Sequence, residues 1–248
     1  MIYLKEIKFS KLNGWISDLP SFKDLSEITF NADITFFVGE NGTGKSTLIE
    51  AIANLCGYNI LGGSSNNNLI KNNSDSSLED NIKFSWIKRP KGGFFLRAES
   101  FFDYATYLDD LYDEMEKINS PQMFDVFKSY GGKSLHKQSH GQAFRSLIEN
   151  RFKWPGLYLL DEPEAALSPN SLLLLMSYLN MYKKQSQFLI VTHSPILMTF
   201  PGAEIYNFDL SPIAKTDLED IEHYSLTKDF LNNPKIYFKH LFREVNEE

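Results

Sequence analysis

The segment Gly39–Ser46 (GENGTGKS) carries the residue types best suited to holding phosphate groups. It fits the pattern G-x-x-x-x-G-K-[ST], in which glycines let backbone N–H groups converge on phosphate oxygens. The lysine of the pattern reaches the β- and γ-phosphates, and the serine offers a hydroxyl to Mg²⁺. We therefore predict that a nucleotide and Mg²⁺ bind here, through Gly39, Asn41, Gly42, Thr43, Gly44, Lys45, Ser46 and Thr47.

Two adjacent carboxylates, Asp161 and Glu162, follow the apolar run 157–160 (LYLL). In a parallel sheet, the carboxyl ends of the strands form the edge where a phosphate loop also lies. Asp161 is predicted to contact Mg²⁺ together with Ser46. Glu162 is predicted to polarise the attacking water as general base, a role typically worth about 10²- to 10⁴-fold in rate. An ordinary pair of acids in a loop is the alternative interpretation.

A histidine, His193, comes just after another apolar run, 188–191 (FLIV). The end of a buried strand should place it at the same edge, near the γ-phosphate. We predict that it is catalytic alongside Lys45 and Glu162, and a structural or solvated histidine is the alternative.

The segment 138–142 (QSHGQ) opens a helix and has features of a second anion-binding helix start. Ser139 is a candidate N-cap, and Gly141 allows close approach of the backbone to a ligand. An ordinary helix cap is the alternative.

Three nearly continuous apolar runs predict strands buried on both faces of a parallel sheet: 33–38, 157–160 and 188–191. Apolar residues at helical spacing predict helices over 46–56 and 171–181. Strands alternating with helices indicate an α/β fold. Further expected elements are edge strands at 2–9 and 27–30, a strand at 204–209 and a helix opening at Asn233-Pro234.

The middle of the chain is less regular. Residues 62–81 are rich in Gly, Ser and Asn, which predicts a long flexible loop. Segments 82–87 and 94–98 flank the turn cluster Arg-Pro-Lys-Gly-Gly, which predicts a β-hairpin. Helices are expected over 101–118 and from Gln142 to about Phe152, with a second glycine-bearing loop at 129–141 before the latter.

We predict a single domain over residues 1–248. Residues 1–60 and 155–248 would form the core sheet with the phosphate loop, and 62–81 the flexible loop. Residues 82–153 would form the hairpin and a helical lobe.

Composition limits the class of protein. The chain has 248 residues, of which 42% are apolar and 23% charged, as in a globular domain, and its net charge is -7. A single cysteine excludes a disulfide framework and a cysteine-based zinc site. The longest apolar run, 172–176, is far short of the roughly 18 residues that cross a bilayer, and residues 1–15 lack a signal-peptide pattern. We expect a cytoplasmic protein without direct membrane insertion.

Together these segments resemble the motifs of an ABC-type ATPase. Gly39–Ser46 is similar to Walker A, Ser139–Gln142 to a diverged LSGGQ signature, and 157–162 to Walker B, with His193 as the switch histidine. Order and spacing match too, since Asp161 lies 22 positions after Ser139 and His193 lies 32 positions after Asp161. The resemblance covers nearly the whole chain.

The resemblance implies a P-loop NTPase fold of ABC type, with a mainly parallel central sheet, an antiparallel β region and a short helical lobe that carries the signature loop. It also implies an ATP-dependent homodimer, in which two domains close head to tail around two ATP molecules. Ser139 and Gly141 of one copy would touch the γ-phosphate held by the other, with Gln142 in the same set. Glu162 and His193 would act on the ATP of their own copy.

The chain departs from the family pattern in several places. Gln138 and His140 stand where Leu and Gly are usual in the signature, and the D-loop reads AALS at 165–168, without its aspartate. No Q-loop glutamine follows the 94–96 segment, and Glu99 or Ser100 stands near that place. Trp15 and Phe9 are candidates for stacking on adenine.

The segment 162–169 (EPEAALSP) resembles the soluble branch of the family, which includes recombination, repair and phage-defence proteins. The chain is most similar to small stand-alone bacterial ATPases, whose cellular task the resemblance does not settle. We predict that this chain acts as a switch or motor for an unidentified protein partner. The alternatives are the ATP-binding subunit of a transporter, a weakly hydrolysing nucleotide sensor and a small-molecule kinase.

Charge is unevenly distributed along the chain. Residues 128–153 contain six Lys or Arg and one acid, and residues 81–98 contain five basic residues and no acid. Both regions are expected to flank the ATP side, where they would contact the triphosphate, nucleic acid or solvent. Residues 103–116 carry six acids, which offers the basic regions of a second copy a complementary face. The aromatic residues near them, including Trp86, are interpreted as core packing.

Overall fold

The computed structural model describes residues 1–58, 78–99, 101–121, 126–127, 132–134, 136, 140–152 and 154–242. Residues 62–77 of the expected flexible loop lie outside the described residues, as do Ser100, Gln138 and Ser139.

Strands and helices alternate along most of the chain. The strands are β1 Leu4–Phe9, β2 Glu27–Thr29, β3 Ile34–Val38, β4 Ile82–Trp86, β5 Gly93–Arg97, β6 Leu157–Asp161, β7 Gln187–Val191, β8 Glu204–Asn207 and β9 Ala214–Lys215. The helices are α1 Lys45–Leu55, α2 Phe101–Lys117, α3 His140–Arg151, α4 Pro169–Tyr182, α5 Pro195–Met198, α6 Glu222–Asn232 and α7 Pro234–Leu241.

The central sheet has the strand order β5-β6-β7-β3-β8-β9. Its strands run parallel except for β9, which pairs antiparallel with β8. Every residue of β3, β6 and β7 is buried, as their apolar runs require of strands covered on both faces. The prediction of an α/β fold with a mainly parallel central sheet is therefore confirmed.

The predicted antiparallel region is a separate sheet of order β2-β1-β4. Gln187, fully buried at the start of β7, joins it to the central sheet. Its Oε1 accepts hydrogen bonds from the backbone N–H groups of Tyr3 (2.9 Å) and Leu4 (2.8 Å), and its Nε2 donates to the carbonyl of Leu4 (2.9 Å). A buried amide with these partners stabilises the junction without leaving unsatisfied polar atoms.

The predicted hairpin of residues 82–98 is wrong. β4 pairs antiparallel with β1, whereas β5 pairs parallel with β6. Phe94, Phe95 and Leu96 are all buried, and only a strand covered on both faces provides that environment. The turn before β5 therefore connects two sheets, and the segment 82–153, predicted as hairpin and lobe, contributes a strand to the core sheet.

Some element boundaries also differ from those predicted. Residues 78–81 form a 3₁₀ turn, where a loop was expected. α3 begins at His140 rather than Gln142, because one glycine in a helix costs only about 1 kcal/mol and the buried Leu147, Ile148 and Phe152 anchor the element. α6 was not predicted, and all of its residues lie at least partly exposed.

The apolar core forms one layer on each face of the central sheet. Alternation along β5 shows this, since Phe94 and Leu96 pack in one layer and Phe95 in the other. The first layer is covered by α2, α3, α4 and α5, and the second by α1 and the antiparallel sheet. This packing holds the strand ends in fixed relative positions.

Substitution of Gly93 tests how closely β5 packs against β6. Gly93 has φ +157°, and a Cβ there would overlap Tyr58 Oη and the carbonyl oxygen of Leu157. We expect Gly93→Ala to lower the free energy of unfolding by on the order of 3 kcal/mol, because it adds overlap to backbone strain. Urea denaturation measures the change.

Gly202→Ala is the matched control. Gly202 has φ +76°, and a Cβ added there would meet no atom within 4 Å, so its substitution carries only the backbone cost of about 1 kcal/mol. Equal losses for the two variants would show that β5 is not held this tightly.

Candidate functional site

The carboxyl ends of β3, β6 and β7 lie side by side in the central sheet. The phosphate-loop sequence follows β3, Glu162 follows β6, and His193 follows β7. The fold thus brings the phosphate loop, the acidic pair and the histidine to one edge, as expected for neighbouring parallel strands.

The phosphate loop has the backbone conformation that its glycines permit. Gly39, Gly42 and Gly44 have φ of 138°, 80° and 93°, all in the region that side chains disfavour. A Cβ on Gly44 would lie 2.5 Å from the ring of Phe22, and one on Gly39 would lie 2.9 Å from Asp209 Oδ1. A Cβ added at Gly42 would meet no atom within 4 Å, so the loop is packed at Gly39 and Gly44 and open at Gly42.

Side-chain hydrogen bonds from Ser21 and Asp209, outside the motif, and from Thr43, within it, fix the shape of this loop. Ser21 Oγ donates a hydrogen bond to the carbonyl of Thr43 (2.6 Å), and Thr43 Oγ1 donates to the carbonyl of Glu40 (2.8 Å). Asp209 Oδ1 accepts the backbone N–H of Glu40 (2.7 Å). Asn41 is exposed and Thr47 is half-buried at the start of α1.

Lys45 is buried, with 4% of its surface exposed. Its ammonium donates hydrogen bonds to the carbonyl oxygens of Gly39 (2.8 Å) and Glu40 (2.7 Å). Among the described residues it has no ion-pair partner within 4 Å, and burial lowers its pKa against the raising effect of Glu162. A buried cation with only neutral acceptors favours an incoming anion.

Ser46 and Asp161 are in direct contact. Ser46 Oγ donates to Asp161 Oδ1 (3.2 Å), so the hydroxyl and carboxylate predicted to hold Mg²⁺ lie together. Asp161 is 2% exposed, and burial raises its pKa to about 7, with Arg97 and Ser46 acting in the opposite direction. An Mg²⁺ ion fits this donor pair, because the cation usually takes one or two protein oxygens besides water and phosphate.

In the part of the chain that the structure describes, no three His, Cys, Asp or Glu residues group into a metal site. The Ser46 and Asp161 pair is therefore suited to a metal that a bound phosphate helps to hold.

Arg97 was missed by sequence reasoning. It is the residue directly opposite Asp161 in the β5 and β6 pairing, and its Nε lies 3.6 Å from Asp161 Oδ2. It also pairs with Glu50 and, at 3.4 Å, with Glu99. The predicted hairpin placed Arg97 away from Asp161, whereas pairing β5 with β6 places the two residues opposite each other.

Glu162 has φ 49° and ψ 52°, a left-handed conformation that costs a non-glycine residue about 1 kcal/mol. The following Pro163 makes a helical backbone less favourable still. The backbone N–H of Glu162 donates a hydrogen bond to the carbonyl of Val191 (3.0 Å), which keeps Glu162 at the sheet edge while the chain turns. Strain of this kind is characteristic of functional positions.

His193 Nε2 lies 3.6 Å from Glu162 Oε1. This nitrogen is buried and makes no hydrogen bond with the described residues. Burial lowers the pKa of His193, and the charge of Lys45 lowers it further, so the ring is neutral near pH 7. His223, from α6, approaches the carbonyl of His193 through Nε2 at 2.8 Å.

Glu164 is a second residue that sequence reasoning missed. Its Oε1 accepts hydrogen bonds from Thr192 Oγ1 (2.8 Å) and from the backbone N–H of His193. Burial raises the pKa of Glu164. It therefore anchors the chain that carries His193, and its place two residues after Glu162 was the available signal.

The remaining predicted site residues are placed less completely. Gly141 and Gln142 lie in the first turn of α3, while Ser139 is outside the described residues. Trp15 is 53% exposed in a 3₁₀ turn. Phe9 packs against Phe22, with 6.1 Å between the ring centroids. In the D-loop segment, Ser168 caps α4 by accepting the N–H of Ser171 (3.3 Å).

The basic residues of 81–98 do not all flank this edge, contrary to prediction. Arg97 ends β5 at the site, but Lys88, Arg89 and Lys91 precede β5. They lie at the opposite, amino-terminal edge of the parallel strands.

Known proteins resemble this chain in sequence or in fold. A family model described as an AAA domain matches residues 16–135. The phosphate import ATP-binding protein PstB 1 of Vibrio parahaemolyticus is 25% identical over 205 residues, covering 76% of this chain and 74% of its own length. PstB of Aeropyrum pernix is 28% identical over 213 residues, covering 77% and 82%.

Among solved structures, a metal-chelate type ABC transporter in an inward-facing conformation superimposes with a TM-score of 0.53. It is 18% identical, over 93% of this chain and 90% of that one. An SMC head bound to the C-winged helix domain of ScpA gives a TM-score of 0.51 at 15% identity, over 88% and 99%. This chain has the fold and the motifs of an ABC-type ATPase. The predicted fold class is confirmed, and these relatives and solved structures are of the kind expected for the predicted ABC-type ATPase.

Within the described ranges of this ATPase, no helix combines the length and apolarity needed to cross a membrane.

The burial of Asp161 predicts how the stability of this ATPase depends on pH. Its pKa of about 7 lies above the value of roughly 4 in an unfolded chain, so the folded state binds the extra proton between these values. The free energy of unfolding should therefore fall as the pH rises from about 4 to about 7. Asp161→Asn should reduce this dependence and raise the free energy of unfolding at about pH 8 by on the order of 2 kcal/mol.

Urea denaturation across this pH range, without metal or nucleotide, measures both effects. Glu116→Gln, at an exposed position of α2, is the control and should leave the pH dependence unchanged. A wild-type slope retained in Asp161→Asn would contradict the assignment.

Proposed function

We propose that this protein is a Mg²⁺-dependent ATP hydrolase whose ATP-bound form dimerises head to tail, and whose hydrolysis step resets it as a switch for a partner. The observation that carries the proposal is the buried ammonium of Lys45, held only by carbonyl oxygens beside the Ser46 and Asp161 pair. This arrangement offers a triphosphate a desolvated cation and a metal-binding oxygen pair.

Binding begins with the phosphate loop. Its glycines allow backbone N–H groups to turn toward phosphate oxygens at the start of α1, whose positive end adds to the attraction. Lys45 would exchange its two carbonyl partners for oxygens of the β- and γ-phosphates. Ser46 and Asp161 would hold Mg²⁺, which supplies positive charge to the phosphates as negative charge develops.

Hydrolysis would use Glu162. Water attacks the γ-phosphorus, the bond from that phosphorus to the bridging oxygen breaks, and ADP and inorganic phosphate form. Glu162, whose backbone is left-handed, would take the proton from the attacking water. Neutral His193, 3.6 Å from Glu162, would contact the γ-phosphate through Nε2.

Glu164 would serve as a positioning residue. It holds the hydroxyl of Thr192 and the N–H of His193, so the histidine stays beside Glu162. In this role Glu164 would not contact the phosphates itself.

The second copy would complete the site. The γ-phosphate of the opposite copy would bind Gly141 and Gln142 in the first turn of α3, together with Ser139, which precedes them in the sequence. A helix start presents N–H groups to an anion. The partner that reads the switch is unidentified, and we propose that both act in the cytoplasm.

A transporter subunit is the second candidate function. Two relatives of 25% and 28% identity are described as phosphate import ATP-binding proteins, which favours this alternative. Copurification with a membrane protein from cells would support it. ATP binding with little turnover would instead support a nucleotide sensor, in keeping with the diverged signature at Gln138 and His140.

Replacement of the general base tests the proposal. Glu162→Gln should slow ATP hydrolysis by about 10²- to 10⁴-fold while leaving ATP binding intact, because only proton transfer is lost. The ATP-bound variant should sediment as a dimer, and the nucleotide-free variant as a monomer. Phosphate release and sedimentation velocity measure the two outcomes.

Two further variants serve as controls for this experiment. Lys45→Ala should lose both ATP binding and dimer formation, whereas Glu219→Gln, at an exposed position before α6, should behave as wild type in all assays. An unchanged rate in Glu162→Gln would remove Glu162 from the base role, and unchanged mass with ATP would remove dimerisation.

A further inference from the structure

A second concave region lies far from the phosphate loop. It is a cavity of about 1110 Å³ between the antiparallel sheet, the end of α1 and the turn that precedes β6. Because Gly93 begins β5 and Pro155 precedes β6, the cavity lies at the amino-terminal edge of the parallel strands. The ATP site occupies the opposite edge.

The cavity is lined by positive charge. Lys83, Lys88, Arg89, Lys91 and Arg151 line it, and among the described residues no Asp or Glu does. The four on β4 and the loop after it are exposed, and none of these four forms an ion pair with another described residue. On a chain of net charge -7, such a concentration of uncompensated cations indicates an anionic ligand.

Aromatic side chains accompany these cations. Trp154 lines the cavity with 70% of its surface exposed, which is unusual for the largest apolar side chain. Trp86 also lines it, half-buried and edge-on to Phe84 at 5.4 Å between ring centroids. Exposed tryptophan beside unpaired cations suits a ligand with both planar rings and negative charges.

Backbone contacts hold the loop between β4 and β5, which carries Lys88, Arg89 and Lys91, against the turn that carries Trp154. Leu157 N donates to the carbonyl of Gly92 (3.2 Å), and a Cβ on Gly156 would overlap that same carbonyl. Tyr58 Oη donates to the carbonyl of Leu157 (3.1 Å) below them. The spacing between cations and tryptophan is therefore set before any ligand binds.

We propose that this cavity binds single-stranded nucleic acid, with backbone phosphates on Lys88, Arg89 and Lys91 and a base stacked on Trp154. A duplex encloses its bases and would leave Trp154 unused, and an acidic peptide offers no ring to it. The cavity exceeds the roughly 300–1,000 Å³ of most small-molecule sites, which suits several linked nucleotides. The proposal extends the proposed function by naming a class of partner, but it does not depend on ATP hydrolysis.

Fluorescence anisotropy of labelled oligo(dT) of about 15 nucleotides tests this site. Arg89→Glu/Lys91→Glu should weaken binding at least tenfold and reduce the slope of log affinity against log salt by about 1.4, the value for two lost phosphate contacts. Trp154→Ala should weaken binding about tenfold with the salt slope unchanged. These positions are exposed, so the variants should fold, and thermal unfolding checks this.

Matched controls come from α7 and the residue after it. Lys235→Glu/Lys239→Glu and Phe242→Ala remove exposed cations and an exposed aromatic ring elsewhere, and should retain wild-type affinity. Lys45→Ala should lose ATP binding but keep oligonucleotide binding, which separates failure of this inference from failure of the ATPase proposal.

Several outcomes would overturn the inference. One is affinity within twofold of wild type for the cavity variants, and another is tighter binding of a duplex of the same length. Displacement of the oligonucleotide by thymidine monophosphate at equal affinity would indicate a mononucleotide site instead. A change in sedimentation of Arg89→Glu/Lys91→Glu without oligonucleotide would show that a second copy of the chain covers the cavity.

Discussion

The buried ammonium of Lys45 is the interaction on which the ATP site depends. A desolvated charge is costly unless it is paired, and here it is satisfied only by carbonyl oxygens of its own loop. Asp161 presents the opposite case, a buried carboxyl whose pKa is raised to about 7. Both groups are held in states that an Mg²⁺-triphosphate complex would improve, so the folded protein carries an electrostatic cost that its ligand relieves.

That cost is tolerable because the surrounding structure is rigid. The loop is packed against Phe22 and Asp209 on its inner side, and Arg97 partly neutralises Asp161 from the neighbouring strand. Two apolar layers clamp the central sheet from both faces, so the ends of its strands keep their spacing. The strained backbone of Glu162 persists for the same reason, since its neighbours leave it no relaxed alternative.

The two edges of the central sheet differ in chemistry. The carboxyl edge combines glycine turns, buried acids and one buried cation, which suits a small, highly charged ligand. The amino edge combines exposed cations and exposed tryptophan around an open cavity, which suits an extended anion. Strand β5 connects the two edges, because Gly92 precedes it at the amino edge and Arg97 ends it at the carboxyl edge. A ligand at either edge would therefore lie against an end of the same strand pair, β5 and β6.

Local sequence determined the conformation of the glycine loop and which strands are buried, because glycine spacing and unbroken apolar runs have direct backbone consequences. It placed Asp161, Glu162 and His193 at one edge for that reason. Only the tertiary structure decided that β5 pairs with β6 rather than β4, because two adjacent β-prone segments carry no local record of their partners. That choice set Arg97 opposite Asp161 and moved Lys88, Arg89 and Lys91 to the far edge, where long-range pairing rather than sequence proximity fixes what each side chain meets.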